Sequence, residues 1–414
     1  MNNILLTNIG RIVTGDIDKG IVEADCIGVT NGVIDKIGYE GSFNKSQYQV
    51  VIDVNGQTAV PGFIDAHVHN GMEDYNACLQ MTGLLEDTLQ NGTTTIISEG
   101  EQGPGYPRFY NDKEGIKATV VFAHRLFTNF RPGKGLKVHA GALVLCDDLV
   151  EEDFKELSQK GVHLVGEIGG GGTGDMTKIR RMVDWARKYG FFISVHMAPP
   201  SIPGSTWLHA EDIISLKPDK IAHANGGTTS SSWEEIKRVI DNTTGGIELI
   251  PEGNCISFNK ILRYVREQGE EHRIVFGSDA PTGACSLAGA MNKAIVRASA
   301  LNEIPAQNVI AYATGNAAKL YGLATGTLAV GRIGDIVIID APPGSVGDDA
   351  LSAIEAGDLF GCSLVVADGR VVALRGSDTR ATQRVCKLGD RSLCPEDIYE
   401  FLYRPRTDFE FLKR

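Results

Sequence analysis

The stretch "GFIDAHVH", residues 62–69, combines an apolar strand pattern with two histidines at its end. Side chains alternate between the two faces of a strand, so His67 and His69 are expected to point to the same face. In α/β barrels that face is the interior, and the carboxyl ends of the strands carry the functional groups. We therefore interpret this stretch as the first strand of a barrel with its site at the strand end.

Seven further apolar runs follow the first strand, and helical patterns separate most of them. They cover residues 93–99, 138–145, 163–169, 191–197, 220–225, 247–252 and 273–279. Eight βα units over roughly 250 residues are typical of a (β/α)8 TIM barrel. We predict an α/β protein with this barrel at residues 59–324. The apolar run 118–123 is interpreted as part of a helix and not as a ninth strand.

The two ends of the chain differ from this middle. Residues 1–58 and 325–375 alternate short β-like runs with turns, and Asn31-Gly32 and Asp368-Gly369 are strong hairpin signals. We predict that both termini together form one small β-sandwich domain. Residues 376–414 show no matching pattern apart from a helix start at Pro395. They are expected to form a C-terminal appendage that packs on a neighbouring subunit of a homo-oligomer such as a tetramer.

Composition narrows the class of protein. The 414 residues are 42% apolar and 22% charged, with a net charge of −12, as in a soluble globular protein. The acidic balance disfavours nucleic acid or an anionic membrane as partner. The N-terminus lacks the pattern of a signal peptide, and no run reaches about 18 apolar residues. Eight scattered cysteines without a CxxC pair predict reduced thiols in the cytoplasm.

Other predicted strand ends carry residues of the type that binds transition metals. The fourth ends in Glu167, the fifth in His196, the sixth in His223 and the eighth in Asp279. Imidazole and carboxylate side chains are ligands of Zn²⁺ and Fe²⁺. Chance placement of nine histidines should not select five strand ends. With His67 and His69, these residues predict a centre of two divalent metal ions.

A competing interpretation rests on the glycines of "VGEIGGGGTGDM", residues 165–176. Gly169, Gly171 and Gly174 match the G-x-G-x-x-G dinucleotide fingerprint. That fingerprint requires an acidic residue about 20 residues further on, at the end of the next strand. Here that strand ends in His196. We therefore expect neither NAD nor flavin, and we interpret the glycines as a small loop that leaves room beside Glu167.

The stretch "AVPGFIDAHVH" (residues 59–69), taken with Glu167, His196, His223 and "FGSDAP" (residues 276–281), resembles the amidohydrolase superfamily of metal-dependent barrel hydrolases. The stretches "GEIGGGGTG", "SIPGST", "HANGG" and "ATGNAAKLYGL" are most similar to the enamidase group of that superfamily. Enamidases open the ring of a 6-oxo-tetrahydronicotinate. The similarity extends from residue 4 to about residue 375.

The resemblance implies a role for each ligand-type residue. His67 and His69 would bind one metal, His196 and His223 would bind the second, and Glu167 would bridge the two. Asp279 would be both a ligand and the proton shuttle of the reaction. The implied function is hydrolysis of a cyclic amide C–N bond in a small-molecule substrate, with Zn²⁺ or Fe²⁺ as cofactor.

Substrate contacts and the exact reaction stay open at this level. Four residues in loops after strand ends are candidates for the substrate site: Arg108, Asn225, Asn254 and Thr282. The alternatives are another cyclic amide, imide or ureide hydrolase, or a deaminase with the same two metals. A non-enzyme alternative is a catalytically silent barrel scaffold. That alternative expects replaced ligand positions, whereas all six positions here carry ligand-type side chains.

Overall fold

The computed structural model describes residues 3–70, 81–100, 112–200, 204–281, 288–375 and 379–402. Two of the candidate substrate residues, Arg108 and Thr282, lie outside the described residues. No helix within these ranges has the length and apolar character needed to cross a membrane.

The N-terminal segment consists of short strands. They are β1 Ile4–Thr7, β2 Arg11–Val13, β3 Ile21–Val22, β4 Cys26–Thr30, β5 Val33–Gly38, β6 Val50–Asp53 and β7 Thr58–Pro61. The predicted turn at Asn31-Gly32 joins the antiparallel pair β4 and β5, and both residues have positive φ, +52° and +84°. Asn and Gly tolerate this conformation, which a tight hairpin turn requires.

The middle of the chain supplies parallel strands in the predicted order. They are β8 Phe63–Val68, β9 Thr93–Ser98, β10 Lys137–His139, β11 Ala142–Leu143, β12 Leu164–Ile168, β13 Phe192–His196, β14 Lys220–Ala222, β15 Gly246–Leu249 and β16 Ile274–Phe276. Strands β8 to β10 form one parallel sheet, and β11 to β16 form a second. The predicted third strand is thus divided into β10 and β11. At the division Gly141 has a φ of +102°, and a Cβ there would lie 2.9 Å from the carbonyl oxygen of Val120.

The residues after β16 return to the first strand of this series. The amide of Asp279 donates to the carbonyl oxygen of His67 at 2.9 Å, and the amide of His69 donates to that of Ala280 at 2.8 Å. The end of the last strand therefore lies beside the end of the first.

Helices separate these strands and follow them. They are α1 Met81–Gln90, α2 Lys113–Asn129, α3 Glu151–Gln159, α4 Met176–Lys188, α5 Ala210–Leu216, α6 Trp233–Asn242, α7 Cys255–Glu267, α8 Ala290–Asn302, α9 Ala306–Tyr312, α10 Gly315–Tyr321, α11 Ala350–Ala356 and α12 Ile398–Leu402. Helix α2 contains residues 118–123, which confirms their interpretation as helix. It buries Ile116, Val120, Ala123 and Phe127, the spacing of one helical face.

The C-terminal strands complete two six-stranded sheets with the N-terminal ones. They are β17 Ile336–Asp340, β18 Gly361–Ala367, β19 Arg370–Leu374, β20 Lys387–Leu388 and β21 Arg391–Ser392. One sheet has the order β21-β20-β6-β1-β4-β5, and the other has the order β19-β18-β17-β7-β2-β3. Buried side chains of both sheets form one apolar cluster, which includes Leu6, Ile52, Ile338 and Leu364. Both ends of the chain thus contribute to the same β core.

The described part of the C-terminal segment corrects the expectation of an appendage at 376–414. Lys387 of β20 pairs with Asp53 of β6, and Cys386 and Leu393 are buried in the β core. The expected helix start at Pro395 corresponds to a 3-10 turn, Pro395–Asp397, that leads into α12. Strands of two residues are too short to show the alternation by which a strand is recognised in sequence.

Candidate metal centre

Six ligand-type side chains meet at the carboxyl ends of five strands. Each stands at the end of its strand or in the residues that follow it, and together they are His67 on β8, His69 directly after β8, Glu167 on β12, His196 on β13, His223 after β14 and Asp279 after β16. All six have low exposure, and the imidazole of His67 is fully buried. The structure therefore brings together all of the metal ligands that the sequence predicts.

Glu167 stands between two pairs of histidines. Its Oε2 lies 2.8 Å from Nδ1 of His196 and 2.9 Å from Nε2 of His223. Its Oε1 lies 3.5 Å from the Nε2 atoms of both His67 and His69. Each carboxylate oxygen thus faces a different pair of imidazoles.

The carboxylate of Asp279 lies next to the imidazoles of His67 and His69. The two Nε2 atoms are 3.1 Å apart, and Oδ1 of Asp279 lies 3.4 Å from the first and 3.3 Å from the second. The six residues form two groups of potential metal ligands, one with His67, His69, Glu167 and Asp279 and one with Glu167, His196 and His223. Within each group the ligand atoms lie within 4.8 Å of one another, and Glu167 belongs to both.

Two of these residues hold an unusual backbone conformation. His223 has a φ of +30° and Asp279 a φ of +56°. Positive φ is uncommon for residues other than glycine, and its energetic cost is typical of positions where function requires a particular side-chain direction. Here the direction taken is toward the centre of the site.

The charges of the site favour cations. Burial raises the pKa of the Glu167 carboxyl, but His223 and His196 outweigh burial and hold that pKa well below its usual range. Burial likewise opposes ionisation of Asp279, and His67 and His69 lower its pKa. Burial lowers the pKa of His69, whereas Asp279 and Glu167 raise it to about 9. Both carboxylates therefore stay ionised at neutral pH.

A buried charged group behind the site was not predicted. Oε1 of Glu248, on β15, lies 2.7 Å from Nδ1 of His67 and accepts from the backbone amide of His223 at 3.0 Å. Lys220, at the start of β14, donates to the other oxygen of Glu248 and contacts Glu99 at 2.6 Å. The available signal was a glutamate inside the apolar run 247–252.

Two predicted substrate residues have structural contacts. The buried amide of Asn225 donates to the carbonyl oxygen of Ile250 and accepts from its amide, both at 3.0 Å. The side chain of Asn254 caps α7 and accepts from the amides of Ile256 and Ser257, both at 3.0 Å. The side chains of Asn225, in the loop after β14, and Asn254, in the loop after β15, thus make hydrogen bonds to the backbone of the protein.

The glycine run forms the connection between β12 and α4. The side chain of Asp175 caps α4 and accepts from the amides of Thr177 and Lys178. A Cβ at Gly170 would lie 2.9 Å from the carboxyl carbon of Glu167. Gly172 has a φ of +80°, and a Cβ there would lie 2.1 Å from the carbonyl oxygen of Leu145. The absence of side chains therefore leaves room for Glu167, as the sequence suggested.

A barrel-type α/β arrangement with imidazole and carboxylate side chains gathered at its strand ends is typical of one class of protein. The profile of the amidohydrolase family matches residues 58–372, and the chain belongs to this family of hydrolases. Its α/β fold is accordingly that of a TIM barrel with a small additional domain.

The chain is 37% identical to the enamidase of Eubacterium barkeri over 388 residues, which cover 94% of this chain and all of the relative. A crystal structure of enamidase superimposes with a TM-score of 0.88 over 93% of this chain and all of that one. The chain is also 25% identical to the adenine deaminase of Bacillus velezensis over 85% of its own length and 56% of the relative.

Proposed function

We propose that the six residues bind two divalent transition metal ions, Zn²⁺, Fe²⁺ or one of each. In this assignment His67 and His69 would hold one ion with Asp279, and His196 and His223 would hold the other. Glu167 would be shared between the two ions, because each of its oxygens faces one pair of imidazoles. The donor set supports the assignment, since buried imidazole nitrogens and ionised carboxylates suit borderline divalent cations.

The chemistry follows from this arrangement. When bound, the two ions act as Lewis acids and lower the pKa of water toward about 7. Asp279 is the general base, because its carboxylate is ionised, buried and aimed at the centre of the site. It accepts a proton from the attacking water and then donates that proton to the ring nitrogen as the C–N bond breaks.

We propose that the substrate is a cyclic amide and that the reaction opens its ring. The observation that carries this proposal is the arrangement of the five other ligand-type side chains around Glu167, in a chain 37% identical to an enamidase over 94% of its own length. For a cyclic enamide such as 6-oxo-tetrahydronicotinate, hydrolysis frees an acid and an enamine. The enamine tautomerises to an imine, a second water adds, and ammonia leaves to give an aldehyde.

A substrate panel tests this proposal. Protein loaded with Zn²⁺ or Fe²⁺ is incubated with 6-oxo-tetrahydronicotinate, simple lactams, cyclic imides, dihydropyrimidine ureides and aminopyrimidines. Ring opening is followed by mass spectrometry and ammonia by a coupled assay. We expect ring opening of 6-oxo-tetrahydronicotinate with an equal amount of ammonia, ring opening of any simple lactam without ammonia, and loss of both reactions after chelation. Fully loaded protein that opens no ring on the panel would contradict the proposal, and if it also released no ammonia the result would favour the silent scaffold.

A deaminase with the same two metals is the second candidate, and the similarity to an adenine deaminase favours it. Adenine is added to this panel as the diagnostic substrate. Release of ammonia from adenine with an intact ring system would assign the protein to the deaminases, because ring opening and exocyclic deamination give products of different mass.

We also propose that the strands of the middle segment close into a (β/α)8 barrel and that the two terminal sheets form a β-sandwich. The hydrogen bonds between the β16 end and β8 and the shared β core support these points. The protein is proposed to work in the cytoplasm, which suits the free cysteines among its described residues. A homo-oligomer, with a tetramer as the specific expectation, is tested by light scattering after gel filtration.

A further inference from the structure

The buried lysine behind the metal centre has no role in the reaction proposed above. Lys220 is completely buried, and its Nζ donates to the carbonyl oxygen of Ala66 at 2.8 Å. It also contacts Glu99 at 2.6 Å and donates to Glu248. A buried charge is costly unless it is paired and hydrogen-bonded. The structure thus maintains a lysine between two carboxylates in the interior of the barrel.

The contacts of Glu248 connect this lysine to the metal ligands. One carboxylate oxygen faces Lys220, and the other faces both Nδ1 of His67 and the backbone amide of His223. An ionised carboxylate only accepts hydrogen bonds, so Nδ1 of His67 carries the hydrogen and donates it. In the neutral imidazole that a metal ion binds, a hydrogen on Nδ1 leaves Nε2 of His67 as the ligand atom.

We propose that Lys220 is a positioning residue of the metal centre and that it acts through Glu248. By holding one oxygen of Glu248, it directs the other oxygen to His67 and to the backbone of His223. These two residues belong to the two different ligand groups, so one carboxylate orients a ligand of each proposed ion. The bond from Lys220 to Ala66 ties the lysine to the strand residue beside His67. This inference rests on the metal centre of the proposed function.

The test compares two charge-balanced double variants. Lys220→Met with Glu99→Gln removes the lysine and one of its carboxylates. The matched control is Lys137→Met with Asp335→Asn, since Lys137 starts β10 and is 2.7 Å from the buried carboxylate of Asp335 without contacting a ligand residue. The metal-free forms of wild type and both variants are titrated with Co²⁺, and the visible spectrum and melting temperature are recorded for each.

We expect the Co²⁺ dissociation constant of the Lys220 double variant to rise about 10- to 100-fold, as for removal of other groups that orient metal ligands. Its Co²⁺ spectrum should also change. The control should keep the wild-type constant and spectrum even where its melting temperature falls. A purely structural role for Lys220 would lower the melting temperature and leave the constant unchanged, and this result would overturn the inference.

Should the Lys220 double variant not fold, Glu248→Gln provides the second measurement. Glutamine keeps an acceptor for His67 but loses the charge that fixes its orientation, so we expect weaker Co²⁺ binding. An unchanged constant in Glu248→Gln would equally overturn the inference. Wild-type protein that binds no Co²⁺ is a different result, because it would refute the proposed metal centre itself and this inference with it.

Discussion

Oε2 of Glu167 lies 2.8 Å from Nδ1 of His196, while the other oxygen of the same carboxylate faces His67 and His69. One side chain thus joins the two ligand groups. Glu167, at a strand end beside the glycine run, is therefore the residue common to both groups of potential ligands. Replacement of Glu167 should therefore weaken the binding of both proposed ions.

Glu167→Gln should reduce the metal content from two equivalents to one or fewer, because an amide offers one acceptor oxygen where the carboxylate offers two. Metal analysis after gel filtration measures this directly. The matched control is Glu235→Gln, which removes the carboxylate of a surface pair with His209 at 3.0 Å. Two equivalents retained in Glu167→Gln would refute the bridging role.

Asp279→Asn should lower kcat about 10²- to 10⁴-fold, the usual contribution of a general acid–base group. The amide oxygen can still face His67 and His69, so some metal binding should persist. Steady-state kinetics on a lactam are therefore compared with metal content measured in the same preparation. Near wild-type turnover with retained metal would exclude Asp279 as the proton shuttle.

The ion pair between α2 and α3 should make stability depend on pH. Burial raises the pKa of Asp153, but the hydrogen bonds from Lys117 and from the amide of Val150 outweigh it and hold that pKa below its usual value. A carboxyl with a depressed pKa stabilises the fold above its unfolded pKa of about 4, and this contribution disappears as the pH falls through the folded pKa.

Lys117→Met should therefore cost about 1–2 kcal/mol at neutral pH and move acid unfolding to higher pH. Urea unfolding at a series of pH values, followed by circular dichroism, provides the measurement. Lys178→Met removes an exposed pair with Asp147 and should change the unfolding free energy by less than about 1 kcal/mol. If wild type and Lys117→Met unfold at the same acid pH, the ion pair of Lys117 with Asp153 does not contribute to the pH dependence of stability.

Arg384 attaches the C-terminal segment to the β core. Its Nε donates to the buried carboxylate of Asp340 at 3.1 Å, and its Nη1 donates to the carbonyl oxygen of Gly56 at 2.8 Å. Arg384→Met leaves Asp340 without its cation, so we expect a loss of about 1.5–3 kcal/mol in unfolding free energy. Arg180→Met breaks an exposed pair with Asp212 and serves as the control. If both variants lose a similar unfolding free energy, the buried contact of Arg384 stabilises the fold no more than the exposed pair of Arg180.

The side chains at the strand ends of the candidate metal centre could be predicted from sequence, because the rules that place them act within one strand. His67 and His69 share a face by alternation, and each other ligand closes its own apolar run. Glu248 and Lys220 could not be predicted as partners, since a buried charge is understood only when its counterpart on another strand is known. Asn225 shows a second limit of sequence analysis. Its position after a strand end suggested a substrate contact, but the structure shows that its amide is hydrogen-bonded to the backbone of Ile250.

The room that the glycine run leaves for Glu167 leads to the last prediction. A Cβ at Gly170 would lie 2.9 Å from the carboxyl carbon of Glu167. Gly170→Ala should therefore displace the carboxylate and lower kcat/KM by up to about 10²-fold, the effect of a misplacement near 1 Å. Gly227→Ala is the matched control, because this loop glycine follows His223 and a Cβ there would meet nothing within 4 Å. Both variants should melt near the wild-type temperature. If Gly170→Ala keeps wild-type kcat/KM and metal content, the glycines have another role, because an alanine would then fit beside an undisturbed Glu167.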